Sequence, residues 1–393
     1  MISTFEEAFY INPKVTIKKG QSVPFVAMDD VSPWQRDVRA TEMRRFSGGA
    51  RFKDSDVLLA RITPSLENGK TSIYRASPKY RSTPAAGSTE FIVIRGKAGK
   101  STSEIGYYLT RTDRLREFAI KTMTGSSGRQ RVQVDALSRY QFELPALATQ
   151  VAIVETLGAL DDKIASNSHI ISNIPHLISS LFQRACNESA TIAVPIDSLA
   201  EFINGGAYTK NASGHGKMVV RIADLNSGPG STTVYNDIEV PDKHLARAGD
   251  ILMSWSGSLG LYVWDRSDAI INQHIFKVVP KGYPDWLVYN QLSVAIDTFR
   301  HIAASKATTM GHIKRNDLSS TYTRIPADNL NELNEVCSSL WNRRNGLMQE
   351  SLRIVELRDA LLPELLSGRI PVSDVKDTVE DAMDAELAEV KRD

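Results

Sequence analysis

The sequence predicts an α+β protein: two similar mixed α/β blocks joined by two long helices. The helices pair as an antiparallel intramolecular coiled coil, which makes the chain approximately two-fold symmetric within itself. Three observations predict this. Leu157, Leu160, Ile164, Asn167, Ile171, Ile174, Ile178 and Leu181 follow one another at steps of three and four. That is the a/d spacing of a coiled-coil seam rather than a broad globular stripe. The same steps recur at Leu333, Val336, Leu340, Arg343, Leu347, Glu350, Ile354, Leu357, Leu361 and Glu364, so that Leu157 matches Leu340 and Ile164 matches Leu347. The blocks preceding each heptad run also echo one another.

The stretch from Thr149 to about Arg184 makes a rod of roughly 50 Å at about 1.5 Å per residue. A rod of that length needs a partner for its seam, and the second heptad run supplies it. Termini of compact domains tend to lie close together, so the intervening block returns the chain near the end of the first helix and the second helix runs back. Leu160 then meets Leu357, Ile164 meets Ile354, Ile171 meets Leu347, and Asn167 falls beside Glu350 as a polar, register-setting layer. The divisions are 1–145, first block; 146–187, first helix; 188–326, second block; 327–368, second helix; and 369–393, an acidic tail expected to be flexible.

In the first block, Pro24–Met28, Val57–Ile62, Glu90–Ile94 and Thr71–Tyr74 read as strands between Gly, Pro, Asn and Ser punctuation. Ile105–Thr122 reads as one helix, and a Gly/Ser loop follows at 124–131. In the second block, Val219–Leu225 echoes Phe25–Val31, Gly249–Ser254 echoes Ser55–Ala60, and His274–Val279 echoes the strand at Phe91. Leu318–Pro326 repeats the spacing of Leu137–Pro145, and Ile203-Asn204 echoes Ile11-Asn12.

Composition is that of an ordinary globular chain: 393 residues, 42% hydrophobic and 24% charged. Two cysteines, Cys186 and Cys337, form no disulfide framework or metal cluster and suit a reducing compartment. Met1–Tyr10 has no signal-peptide pattern, and no apolar run approaches the ~20 residues of a membrane span. The expectation is a cytoplasmic protein that needs no cofactor. Net charge is only +1, but Arg36, Arg39, Arg44, Arg45, Arg51 and Lys53 cluster, as do Arg111, Arg114, Arg116, Lys121, Arg129 and Arg131. Local basic surface is what a phosphate backbone needs. Two similar heads on a two-fold frame suit two half-sites on a duplex, and heads of different sequence suit different half-sites.

The order of segments resembles the specificity subunit of type I restriction–modification systems. The residues that carry the likeness are Phe202–Tyr208, Val220–Asn226, and Gly249–Ser254 with Gly257–Gly260. Leu144-Pro145 with Gln150–Val154, Leu160–Ile164 and Leu361–Ile370 complete it, so that it spans about residues 1–371. The resemblance implies two target-recognition domains reading a split double-stranded DNA target. It also implies paired helices that set the gap and carry two methyltransferase (modification) subunits, with restriction (translocase/nuclease) subunits joining that core, and no membrane. The chain departs from the family at Ala146–Gln150, where an acidic residue usually precedes the Gln, and at Pro175 and Pro363, which are expected to kink the helices.

Several chemistries fail on spacing. Gly69-Lys70-Thr71 lacks the earlier glycine of a phosphate loop, because Pro64 stands there. Ser256–Gly260 lacks the first glycine of a nucleophile elbow. The His residues show no metal-ligand spacing, with His169 and His176 expected on the rod surface. No Asp-Pro-Pro or Asn-Pro-Pro segment exists, which the resemblance places on another chain. Arg, Lys, Asn, Gln, Ser and Thr are the side chains that read bases and phosphates. The DNA-contact candidates are Arg61, Asn68, Lys70, Ser126, Ser127, Arg129, Gln130 and Arg131 in the first block. In the second they are Ser256, Ser258, Asn272, Gln273, His274, Thr308, Thr309, His312 and Lys314. Two alternatives compete: a nuclease using Asp56 and Asp250, which recur at matching positions, and a scaffold that only holds protein partners.

Overall fold

The computed structural model describes residues 2–126, 128–230, 232–305, 311–328, 330–375 and 379. They form two compact units, 1–162 with 355–393, and 163–354. Each long helix therefore contributes one part to each unit.

Each unit is built on a wholly buried strand. Val57–Ala60 and Ile251–Ser254 have every residue buried, as an apolar run between turn residues predicts. A tight turn feeds each strand. Ser55 takes it at φ 67° and Gly249 at φ 96°, the left-handed region where glycine is at ease and serine is strained. The aspartates that follow close the turns. Asp56 accepts from the Lys53 amide at 2.7 Å and from Arg95 twice at 2.6 Å. Asp250 accepts from the Arg247 amide and from Lys277, both at 2.6 Å.

In the first unit, Val57–Ala60 lies between Phe91–Gly96 and Thr71–Tyr74, with Phe9–Ile11 and Asp37–Val38 outside them. A second sheet has the order Glu42–Arg45, Ser22–Val26, Ala85–Gly87, Ala50–Phe52, with Phe25 parallel to Ala86. The second unit repeats the plan. Ile251–Ser254 lies between Ile275–Pro280 and Leu261–Val263, and Ala200–Asn204 pairs outside. Its other sheet is Val234–Asn236, Lys217–Val220, Ala269–Ile271, Leu245–Ala246, with Val219 parallel to Ile270. The echo at Val219–Leu225 divides into this strand and a short helix, Ile222–Ser227.

The single helix expected at Ile105–Thr122 is two, Ser103–Arg111 and Asp113–Lys121. Thr112, at ψ 139°, ends one and caps the other: its hydroxyl donates to the Leu109 carbonyl at 2.7 Å and accepts from the Leu115 amide at 3.4 Å. A Thr side chain that competes for the backbone breaks a helix without interrupting its apolar period. In the second unit the corresponding helix, Asp285–Ser305, is continuous.

The long helices span Leu147–Glu188 and Leu330–Ser367, with Pro175 and Pro363 inside them; neither proline ends its helix. In the second unit they run antiparallel. Lys163 pairs with Glu350 at 2.6 Å, and Asn167 donates to Ser351 at 3.2 Å. Further along, Ile174, Ile178 and Phe182 share a core with Cys337 and Trp341. Asn167 thus meets Ser351, and the adjacent Glu350 pairs with Lys163. In the first unit the buried Asp161 accepts from Arg358 at 2.6 Å and from the Tyr108 hydroxyl at 2.7 Å.

The seam on the first helix is buried or half-buried from Leu157 to Leu181. On the second, the buried stripe falls one residue later than the heptad reading. Val336 is 53% exposed and Arg343 is exposed, whereas Cys337, Trp341, Arg344, Arg358, Leu362 and Leu365 are buried. Leu347 is buried, Leu340, Ile354 and Leu357 are half-buried, and Glu350 is 9% exposed. The shift arises because this face covers its head as well as the other helix. Trp341 lies 5.0 Å from the Tyr289 ring on the head helix, a large apolar contact that an a/d template does not contain. The start of the acidic tail is also packed, with Val375 and Val379 buried; residues 376–378 and 380–393 lie outside the described residues.

Arg358 and Asp161 are each 3% exposed at the side chain. Removing one partner leaves a buried charge unmatched, so Arg358→Met is expected to cost about 3–5 kcal/mol. The double change Asp161→Leu with Arg358→Met is expected to recover most of it, as read by thermal melting.

Candidate nucleic-acid interface

In the first unit, one sheet edge is an exposed basic strand. Glu42–Arg45 is exposed at every residue, and the Arg44 guanidinium lies 3.8 Å over the Phe25 ring. Arg51 lies over Phe46 at 4.8 Å. Gly49 makes this possible: at φ 112° its Cβ would meet the Gly87 carbonyl oxygen at 2.2 Å, so only glycine lets the two backbones approach. Two clefts of about 350 and 440 Å³ share Gly49 and Thr89. Lys14, Arg44, Arg45, Arg51 and Arg61 line them with Phe25 and Phe46, and Arg44 is ion-paired with Glu42 on the same strand. Cationic walls interleaved with aromatic faces suit a phosphate backbone beside unstacked or edge-on bases. The charge run at 36–53 signalled part of this surface. Lys14 was missed, because a single lysine between Pro13 and Val15 carries no pattern.

The first-block candidates divide. Arg61 lines the larger cleft; its Nη2 donates to the Val132 carbonyl at 3.1 Å while Nε is buried without a hydrogen bond. Ser126 and Arg129 are exposed on the loop between strands Met123–Thr124 and Arg131–Val132, Gln130 is half-buried there, and Ser127 lies outside the described residues. Arg131 is engaged with Glu90 through three hydrogen bonds of 2.7–3.1 Å. That pairing holds the Glu90 carboxyl below the usual carboxylate range. Lys70 donates to the Met28 carbonyl at 3.0 Å and sits 3.6 Å from Asp29, so it ties two loops together. Asn68 is half-buried, its amide bonded to the Pro64 carbonyl at 2.9 Å.

The second-block candidates converge more closely. The Ser256 hydroxyl lies 3.1 Å from His274 Nδ1, and Gln273 Nε2 lies 3.3 Å from His274 Nε2. The Asn272 side chain accepts the Gln273 amide at 2.9 Å, and Ser256 forms a β-bridge with His312. The exposed Ser258 gives its carbonyl to the Ser254 hydroxyl at 2.7 Å. Lys314 is exposed and caps the helix Arg315–Ser320, its amide bonded to Asp317 at 2.7 Å. Thr308 and Thr309 lie outside the described residues. Trp255, whose indole N–H is buried without a partner, packs on His274 with ring centroids 5.3 Å apart.

Residues 9–176 match the profile of the type I restriction modification DNA specificity domain. The matched stretch covers most of the first head and much of the first long helix. The type I restriction enzyme EcoEI specificity subunit of Escherichia coli is 27% identical over 162 residues, which are 40% of this chain and 27% of that one. The alignment therefore spans about a quarter of the curated relative's length. Among solved structures, the HsdS subunit from Thermoanaerobacter tengcongensis aligns with TM-score 0.39 and 15% identity over 94% of this chain and 97% of that one. The type I restriction–modification S subunit from M. genitalium aligns with TM-score 0.49 and 13% identity, covering 93% and 96%. No helix among the described residues is long and apolar enough to cross a membrane.

The depressed Glu90 carboxyl has a stability consequence. Its folded pKa lies below the ordinary 4.5, so the Arg131–Glu90 pair contributes in full above about pH 4.5 and is lost as pH falls through the lower folded value. The melting-temperature gap between wild type and Glu90→Gln is expected to be largest near neutrality and to close only in stronger acid.

Proposed function

We propose that this chain is the sequence-specific DNA-recognition subunit of a type I restriction–modification complex. One head reads each half of a split, asymmetric double-stranded target. The paired helices dock two methyltransferase subunits, restriction subunits join that assembly, and the chain itself carries no catalytic group. The observation that carries the reading is that the second head repeats the hydrogen-bonded frame of a first head that matches the specificity-domain profile. One frame used twice with different surface side chains is what two unlike half-sites require. The basic cleft supports phosphate contact.

A nuclease reading draws on Asp56 and Asp250. Both are spent on turn amides and on Arg95 and Lys277, which leaves no carboxylate pair aimed at solvent for a metal ion at these positions. A pure scaffold would leave the cleft without a purpose.

Single-molecule sequencing of DNA from cells expressing this chain with its neighbouring methyltransferase is expected to show one methylated two-part motif with a fixed gap. Modification of a continuous motif, or of none, overturns the proposal. In the assembled complex, Arg51→Ala is expected to lower the slope of log affinity against log salt by roughly 0.9 on a duplex, with little change in base preference.

A further inference from the structure

The two heads share one hydrogen-bonded corner and furnish it with unrelated side chains. In the first head, the Arg61 amide donates to the Glu90 carbonyl at 2.9 Å, Val132 to Arg61 at 2.8 Å, and Thr63 to Gln130 at 3.0 Å. In the second, Trp255 donates to His274 at 3.2 Å, Ile313 to Trp255 at 3.0 Å, and Gly257 to Gly311 at 3.0 Å. The strand registers agree, with Ala60 opposite Phe91 and Ser254 opposite Ile275. The isolated bridges agree as well, Ile62 with Arg131 and Ser256 with His312. Glu90 therefore corresponds to His274, Arg131 to His312, and Ile62 to Ser256.

Duplicated backbone normally keeps side chains that serve packing. Here the backbone is kept and all three side chains change chemistry. A carboxylate and a guanidinium stand where the other head has two imidazoles, and an apolar residue stands where it has a hydroxyl. The polar groups touch each other in both heads, through Arg131 with Glu90 at 2.7 Å and through Ser256 with His274 at 3.1 Å. The charged and imidazole groups are not sealed in the core: Glu90 and Arg131 are 22% and 42% exposed at the side chain, and His274 and His312 are half-buried, with Ser256 buried beneath them at 9%.

We infer that this corner is the specificity-determining position of each head, reading the groove edge of one base pair in each half-site. The inference rests on the DNA-recognition reading above. In the first head Glu90 holds Arg131 through Nε and Nη2. Nη1 has no such bond to Glu90 and is left as a donor toward a major-groove acceptor, of which guanine O6 and N7 are the ones arginine pairs with most often. In the second head, the Ser256–His274 contact and His312 present donors and acceptors in a different pattern, and so select a different base pair.

The test transplants one corner into the other. The chain carrying Ser256→Ile, His274→Glu and His312→Arg is expressed with its methyltransferase, and methylated positions are sequenced. The second half of the motif is expected to change at one or two adjacent positions, toward guanine and by at least tenfold, while the first half and the gap stay as in wild type. His312→Gln alone is expected to relax the same position about tenfold. Both variants modifying the wild-type motif unchanged would overturn the inference while leaving the recognition reading intact. Loss of all modification in both, with a lowered melting temperature, would give the corner a structural role only and overturn it equally. A wild-type complex that modifies no two-part motif would take down both.

Discussion

A buried strand entered through an aspartate-closed turn is the constraint on which each head depends. Val57–Ala60 and Ile251–Ser254 sit entirely inside their sheets, so their start points decide every neighbouring register. Asp56 and Asp250 fix those start points by taking the amide three residues back and a basic side chain from the adjacent strand. A one-residue slip would turn the strand's faces over, and the carboxylate turn opposes it. Everything downstream follows from that register, including the hydrogen-bonded corner formed by residues 61–63, 90 and 130–132 and its counterpart in the second head.

The long helices meet a different demand. A seam of leucine and isoleucine alone would pair in several registers. Polar layers restrict the choice at some cost in stability: Asp161 with Arg358 and Tyr108 in the first unit, and Asn167 with Ser351 and Lys163 with Glu350 in the second. The first layer also reaches its head. Tyr108 lies on the head helix Ser103–Arg111, so one carboxylate binds head and both helices together. Arg36 adds a second tie, donating to the Gly158 carbonyl at 3.0 Å and to Asp162 at 2.5 Å.

The structure also shows where strain is tolerated. Trp34 holds φ 65°, a region that costs a bulky residue on the order of 1–3 kcal/mol. Its amide donates to the Gly69 carbonyl at 3.1 Å, its carbonyl takes Arg111 at 2.7 Å, and its ring carries the Arg116 guanidinium at 4.4 Å. Gly69 has no side chain to displace that ring; a Cβ there would come within 2.4 Å of it. These contacts offset the strain and anchor the loop that carries Arg36.

The sequence alone determined the duplication, the two long helices and the buried strands. These depend on local patterns, namely apolar period and turn chemistry, that act over a few residues. It did not determine the break at Thr112, because a capping hydroxyl leaves the period intact. Nor did it determine the shift of the second seam to Cys337 and Trp341, because that face is chosen by Tyr289, distant in sequence. The candidate site was legible in part. Its loops were identified, but Lys70 and Arg131 read as free cations until folding brought Met28, Asp29 and Glu90 against them. Charge type is written in the chain, whereas the partner that consumes or exposes a charge is decided only when remote segments are packed side by side.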